Sequence, residues 1–133
     1  PIILMNSDVL TNVNFVSLIK YHKEARNDLT ICTKKYSLKI PYGVVQQHKN
    51  KVSKIVEKPN QIFDINAGIY VISKNAINKL STKSFINMDE FIQQLLIIKK
   101  RVSIYPLHEY WLDIGKIDDF KQAKIDIESG IIK

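Results

Sequence analysis

Apolar residues run unbroken from Pro1 to Met5 and give way to the polar stretch Asn6-Ser7-Asp8. That is the profile of a strand covered on both faces as it reaches the end of its sheet. It places Asp8 just past a strand's carboxyl end. From Phe15 the period becomes helical: Phe15, Leu18, Ile19 and Tyr21 fall on one side, Asn14 stands in the capping position, and the turn ends near Arg26-Asn27-Asp28. Leu29 to Tyr36 reads as a second strand, so the opening third has the order of an α/β crossover unit.

Beyond Pro41, the segments Gly43 to Gln47 and Val52 to Glu57 flank a polar, lysine-rich turn and predict an antiparallel hairpin. Asn66 to Ser73 is a further apolar strand. Two helices are predicted next, Asn75 to about Leu80 and Met88 to about Ile98, the second turning Phe91, Ile92, Leu95 and Leu96 inward. Val102 to Pro106 predicts a strand, Trp111 to Ile114 a loop or short strand, and Ile117 to Glu128 a final amphipathic helix. The fold class is α/β, with a mixed, largely parallel sheet flanked by helices.

Composition adds limits. A chain of 133 residues with 45% apolar content is the size of one domain and can build a core, which argues against disorder. The formal charge of +7 raises the question of an anionic partner. However, the basic residues are 18 Lys against 2 Arg, scattered singly or in short pairs, beside 22 Ile and 10 Asn. This is the bias of an A·T-rich gene. Without clustered arginine or an aromatic stacking platform, nucleic acid is not expected as a partner. Cys32 is the single cysteine, which excludes an internal disulfide and fits a cytoplasmic location; it lies in an apolar strand, as a buried inert thiol does. No apolar run approaches a membrane span in length, so no membrane partner is expected. The chain opens inside a strand, which predicts that a preceding segment has been removed.

Two carboxylates each follow an apolar run and precede a break in periodicity: Asp8, and Asp113 in the stretch Trp111 to Gly115. Ligands of open α/β sheets gather beyond the carboxyl ends of strands, and Mg²⁺ is commonly held by one or two carboxylates with waters and phosphate oxygens. Read alone, Asp8 equally suits a helix or turn cap and Asp113 a turn. In Glu57-Lys58-Pro59 a charged pair ends a strand ahead of a proline; Lys58 could meet a phosphate and Glu57 accept from hydroxyls, although such tripeptides are common surface features. Asn66-Ala67-Gly68 opens a strand with small residues and an amide, suited to close approach by a ligand or by another strand. Tyr42-Gly43 after Pro41 offers an exposed peptide or simply a turn.

In their order and spacing these elements resemble the sugar-1-phosphate nucleotidyltransferases, over Pro1 to about Glu128. The resemblance implies the C-terminal part of a Rossmann-like nucleotide-diphospho-sugar transferase fold, with residues 1 to 133 as the sugar-phosphate-binding half of the domain. It implies that Asp8, in the place of the family's Asn-Gly-Asp, and Asp113 ligate Mg²⁺. Tyr42, Gly43, Glu57, Asn66, Ala67 and Gly68 would bind the sugar, and Lys58 would bind its phosphate. The implied partners are a sugar 1-phosphate and an NTP, joined with release of pyrophosphate. Ser7 stands where glycine is usual. Lys116 follows Gly115 as arginine does in the mannose-1-phosphate guanylyltransferase-like subgroup. The family's Gly-rich triphosphate loop has no counterpart, since no Gly-x-Gly occurs. The chain alone is therefore expected to be inactive, and to self-associate or stay with an N-terminal companion fragment. The competing reading is a non-catalytic sugar-phosphate-binding or regulatory module.

Overall fold

The computed structural model describes residues 1–78, 85–115 and 117–132. Its elements are β1 (Ile2–Met5), β2 (Val9–Thr11), α1 (Phe15–Glu24), β3 (Leu29–Lys39), β4 (Val44–His48), β5 (Lys51–Val56), β6 (Asn60–Ile72), α2 (Lys74–Ile77), α3 (Met88–Ile97), β7 (Val102–Pro106), β8 (Trp111–Asp113) and α4 (Ile117–Glu128). The mixed α/β class holds. Four strands form a sheet in the order β1-β6-β3-β7; β2 pairs with β8 and β4 with β5. The β1–β6, β2–β8 and β4–β5 pairs are antiparallel, and β3–β7 is parallel. The chain divides into two compact units, Pro1–Lys34 with Asn66–Lys133, and Lys35–Ile65.

In the larger unit the sheet is covered on both sides, which is why β6 is apolar at consecutive positions. Ala67, Ile69 and Val71 join Leu18 of α1, Cys32, Val9, Val13 and Leu107 in one core cluster. Tyr70 and Ile72, pointing the other way, join Leu29, Ala76, Phe91 and Leu95 beside α2 and α3. Asn14 caps α1 as expected, its Oδ1 accepting from the Ser17 N–H at 2.9 Å. At the other end Arg26, at φ 51°, carries the helix stop: its N–H donates to Lys23 O and that of Asn27 to His22 O.

Four expectations are corrected. β1 is not buried on both faces: it is an edge strand beside β6, and Ile2 to Met5 stay 38 to 50% exposed. Leu96 faces outward at 48% exposure, because Phe91 and Leu95 lie one above the other on α3 while Leu96 is about 100° further round. In α1 the inward neighbour of Leu18 is His22, one turn on, rather than Tyr21, whose ring sits at the rim against Tyr105 and whose hydroxyl donates to Ile104 O at 3.0 Å. The His22 Nδ1 lies 2.9 Å from Thr30 Oγ1, which accepts from Asn27 Nδ2 at 3.0 Å; Asn27 Oδ1 in turn accepts from Ser103 Oγ. Burial holds the His22 pKa below its ordinary value, so the ring stays neutral within this network. The helix expected from Asn75 is a single turn over Lys74–Ile77, and its expected end at Leu80 lies outside the described residues, as does Lys116.

The smaller unit contains the outer parts of β3 and β6 and the β4–β5 hairpin. His48 pairs with Lys51 across a two-residue turn in which both Lys49 (φ 46°) and Asn50 (φ 63°) are left-handed, the backbone that matches strand twist.

Candidate active site

In the larger unit, β2 and β8 bring the two candidate metal ligands together. Val9 pairs with Asp113, and the ladder continues one step through the Ile114 N–H, which donates to Asp8 O at 2.8 Å. The side chains converge beside Gly115: a Cβ there would stand 3.0 Å from Asp113 Oδ1 and 3.7 Å from Asp8 Oδ2. Asp113 Oδ1 accepts from the Gly115 N–H at 2.9 Å, which orients the carboxylate. Among the described residues neither aspartate takes part in an ion pair. Two anionic groups are thus turned toward one glycine-lined space, a donor set whose charge and hardness fit Mg²⁺ completed by phosphate oxygens and water. Among the described residues no third His, Cys, Asp or Glu joins them.

The segment Asn66 to Gly68 lies in the same unit. Gly68 is left-handed, at φ 69°, and a Cβ on it would fall 2.7 Å from Asn6 Nδ2 and 2.9 Å from Asn6 Cγ. The Asn6 N–H donates to Gly68 O at 2.9 Å, so the close approach that glycine permits here is made by the residue two before Asp8. Asn66 Oδ1 accepts from the Gly68 N–H at 3.0 Å, and its Nδ2 donates to Tyr70 Oη at 2.6 Å, leaving one N–H and one lone pair of the amide for a ligand. Ala67 O accepts from Trp111 Nε1 at 2.8 Å, tying β8 to β6.

The smaller unit gathers the remaining candidates by itself. Pro41-Tyr42-Gly43 and Glu57-Lys58-Pro59 meet backbone to backbone: the Lys58 N–H donates to Tyr42 O at 3.2 Å and that of Ile40 to Pro59 O at 3.0 Å. Lys58 is left-handed, at φ 45°. Glu57 Oε2 lies 3.0 Å from where a Gly43 Cβ would stand, and Glu57 Oε1 lies 3.8 Å from Lys58 Nζ. Both side chains are exposed, so this pair adds little stability and is available to a ligand. Asn6 and Trp111 belong to the motifs read from the sequence, but sequence reasoning gave neither a role of its own. Their bonds run to backbone far away in the chain, and no local pattern announces such partners.

A model of the nucleotidyl transferase family matches residues 1–130. The chain belongs to that family. Among related transferases, the mannose-1-phosphate guanyltransferase of Debaryomyces hansenii is 31% identical over 131 residues, which is 94% of this chain and 36% of the relative. The enzyme of the same name from Yarrowia lipolytica is 30% identical over 125 residues, 90% of this chain and 34% of the relative. The chain therefore spans about a third of the length of these curated relatives. HddC from Yersinia pseudotuberculosis, solved in complex with GMP-PN, superposes with a TM-score of 0.63 at 25% identity, covering 94% of this chain and 54% of HddC. The UTP-bound UGPase of Acinetobacter baumannii shares the fold, with a TM-score of 0.60 at 18% identity over 94% of this chain and 50% of the UGPase. Among the described residues of this family member no helix is long and apolar enough to cross a membrane.

Proposed function

We propose that the protein carrying this chain transfers a nucleoside monophosphate from an NTP to a sugar 1-phosphate, and that the chain contributes metal-directed carboxylates and sugar-phosphate contacts. The observation that carries this reading is the convergence of Asp8 and Asp113 beside Gly115 in a nucleotidyl transferase chain. An oxygen of the sugar phosphate attacks the α-phosphorus of the NTP, the bond to the bridging oxygen of the β-phosphate breaks, and pyrophosphate leaves with that electron pair. The attacking oxygen is already ionised, so no general base is needed, and protein catalysis reduces to alignment and charge neutralisation. Asp8 and Asp113 would hold Mg²⁺, which supplies neutralising charge at the α-phosphate when bound. Lys58 neutralises and aligns the sugar phosphate. Glu57, Tyr42, the Gly43 peptide, and Asn66 with the Ala67-Gly68 backbone contact sugar hydroxyls.

The names of the curated relatives make GTP and mannose 1-phosphate the first substrates to try. Pyrophosphate release by the complete protein with a panel of NTPs and sugar 1-phosphates tests the reading, and binding of a sugar phosphate without turnover would favour a non-catalytic module instead. In an active pair, Lys58→Met is expected to raise KM for the sugar phosphate about tenfold or more, while KM for the NTP moves little. If both constants stay put, Lys58 is not the phosphate ligand.

We also propose that the open edge of β1 is covered in solution by strand pairing with another polypeptide. Bare edge strands with four half-exposed apolar residues recruit partners. Sedimentation equilibrium of the 133-residue chain is expected to report dimers or larger species. A stable monomer at high concentration would refute this.

A further inference from the structure

On α4, Asp126 is buried at 7% exposure and each of its carboxylate oxygens accepts one bond: Tyr110 Oη donates to its Oδ2 at 2.6 Å and Gln122 Nε2 to its Oδ1 at 2.7 Å. Among the described residues it has no cationic partner. Burial and the bond to Asp126 push the Tyr110 hydroxyl up to about 12, so the proton stays on the tyrosine and the bond is charge-assisted. Tyr110 immediately precedes β8. Its carbonyl accepts two bonds from the β2 side, from Thr11 Oγ1 at 2.8 Å and from the Asn12 N–H at 3.1 Å. The Asn12 side chain then reaches the chain beyond α4, Nδ2 donating to Ile131 O at 2.8 Å. One end of the β2–β8 ladder is thus bolted to α4 by a buried carboxylate, and the other end carries Asp8 and Asp113.

A helix that merely needed to pack here could do so with an apolar residue, because burying a carboxylate is costly and a hydrophobic replacement is often as stable. What the charged clasp adds is one fixed position for Tyr110, about 10 Å along the strand from Asp113. The two aspartates need that fixity, because their mutual repulsion pushes them apart whenever no cation lies between them. We infer that Asp126, acting through Tyr110, is a positioning residue for the Asp8–Asp113 carboxylate pair. The inference rests on the proposed role of that pair as a metal site.

The test is made on the complete protein with two readouts: binding of Mn²⁺ alone, followed by electron paramagnetic resonance, and the Mg²⁺ dependence of turnover. Tyr110→Phe and Asp126→Ala are each expected to weaken Mn²⁺ binding and raise the Mg²⁺ concentration for half-maximal rate by roughly tenfold, with kcat at saturating Mg²⁺ largely kept. Asp126→Asn is expected to retain most of the metal affinity, because its oxygen still accepts from Tyr110 while Gln122 turns its own oxygen to the new amide. Leu95→Ala, in the core on the other side of the sheet, supplies a destabilised variant whose metal affinity should not move. If Tyr110→Phe and Asp126→Ala lower the melting temperature but leave both metal readouts unchanged, or if Leu95→Ala shifts them equally, the clasp is structural only and the inference fails. Failure of the metal site itself is separate: there, Asp8→Asn would also leave Mn²⁺ binding unchanged.

Discussion

If the proposed activity holds, replacing Asp8 or Asp113 by asparagine is expected to cut turnover of the complete protein by about a hundredfold or more without unfolding it, an effect of the size seen when one preorganised charge-stabilising group is removed. The change is isosteric and takes one negative charge from a pair whose oxygens face the same glycine-lined space. Because the two carboxylates repel, deleting one should leave the metal-free melting temperature unchanged or slightly higher. Stability and activity would then move independently, or even in opposite senses. Rate against Mg²⁺ concentration, with thermal melting in chelator, checks both. An unaltered Mg²⁺ curve in either variant would remove that residue from the ligand set, and a collapse in melting temperature would make its role architectural.

Gly68→Ala is expected to cost about 2–4 kcal/mol of stability and to weaken metal binding as well. The backbone at φ 69° is left-handed, which already penalises any Cβ by about 1–2 kcal/mol. The new methyl would also sit 2.7 Å from Asn6 Nδ2, 2.9 Å from its Cγ and 3.3 Å from its Cβ, so rotating the amide tip does not clear it. The whole Asn6 side chain must swing aside and its Cβ give by a few tenths of an ångström, which strains a residue that is bonded through its N–H to Gly68 O and leads directly into Asp8. Urea denaturation measures the first effect. The double variant Gly68→Ala with Asn6→Ala should recover the steric part and keep the conformational part. An unchanged urea midpoint for the single variant would contradict this account of the glycine.

Much of the scaffold was legible because it is written in short-range patterns. The two-sided burial of β6 shows as an unbroken apolar run, Asn14 announces α1, the lysine-rich turn announces the hairpin, and Ile117 to Glu128 carries its own helical period. The same reasoning erred on β1, since an apolar run records what a strand can be covered by, not whether covering strands are present beside it. His22 escaped because a periodicity that counts only apolar residues has no place for a histidine whose ring bonds to Thr30. At the site, motif order singled out Asp8 and Asp113 and the Tyr42-Gly43 and Glu57-Lys58 elements. The groups that hold the aspartates in register, Asn6, Trp111, Tyr110 and Asp126, act through bonds spanning 16 to 99 residues of sequence, and such pairings leave no trace in spacing.

The burial of Cys32 has a practical consequence. Its thiol is wholly inaccessible and is pushed up to about 12, chiefly by burial and further by the nearby Glu109 charge, so almost none of it is thiolate at neutral pH. To a maleimide or a nitroxide reagent, this stretch of polypeptide is as blank as one with no sulfhydryl at all. A lone cysteine installed at an exposed hairpin position such as Ser53 would take up a probe selectively, and the native residue could be left in place rather than engineered out of a core it helps to fill.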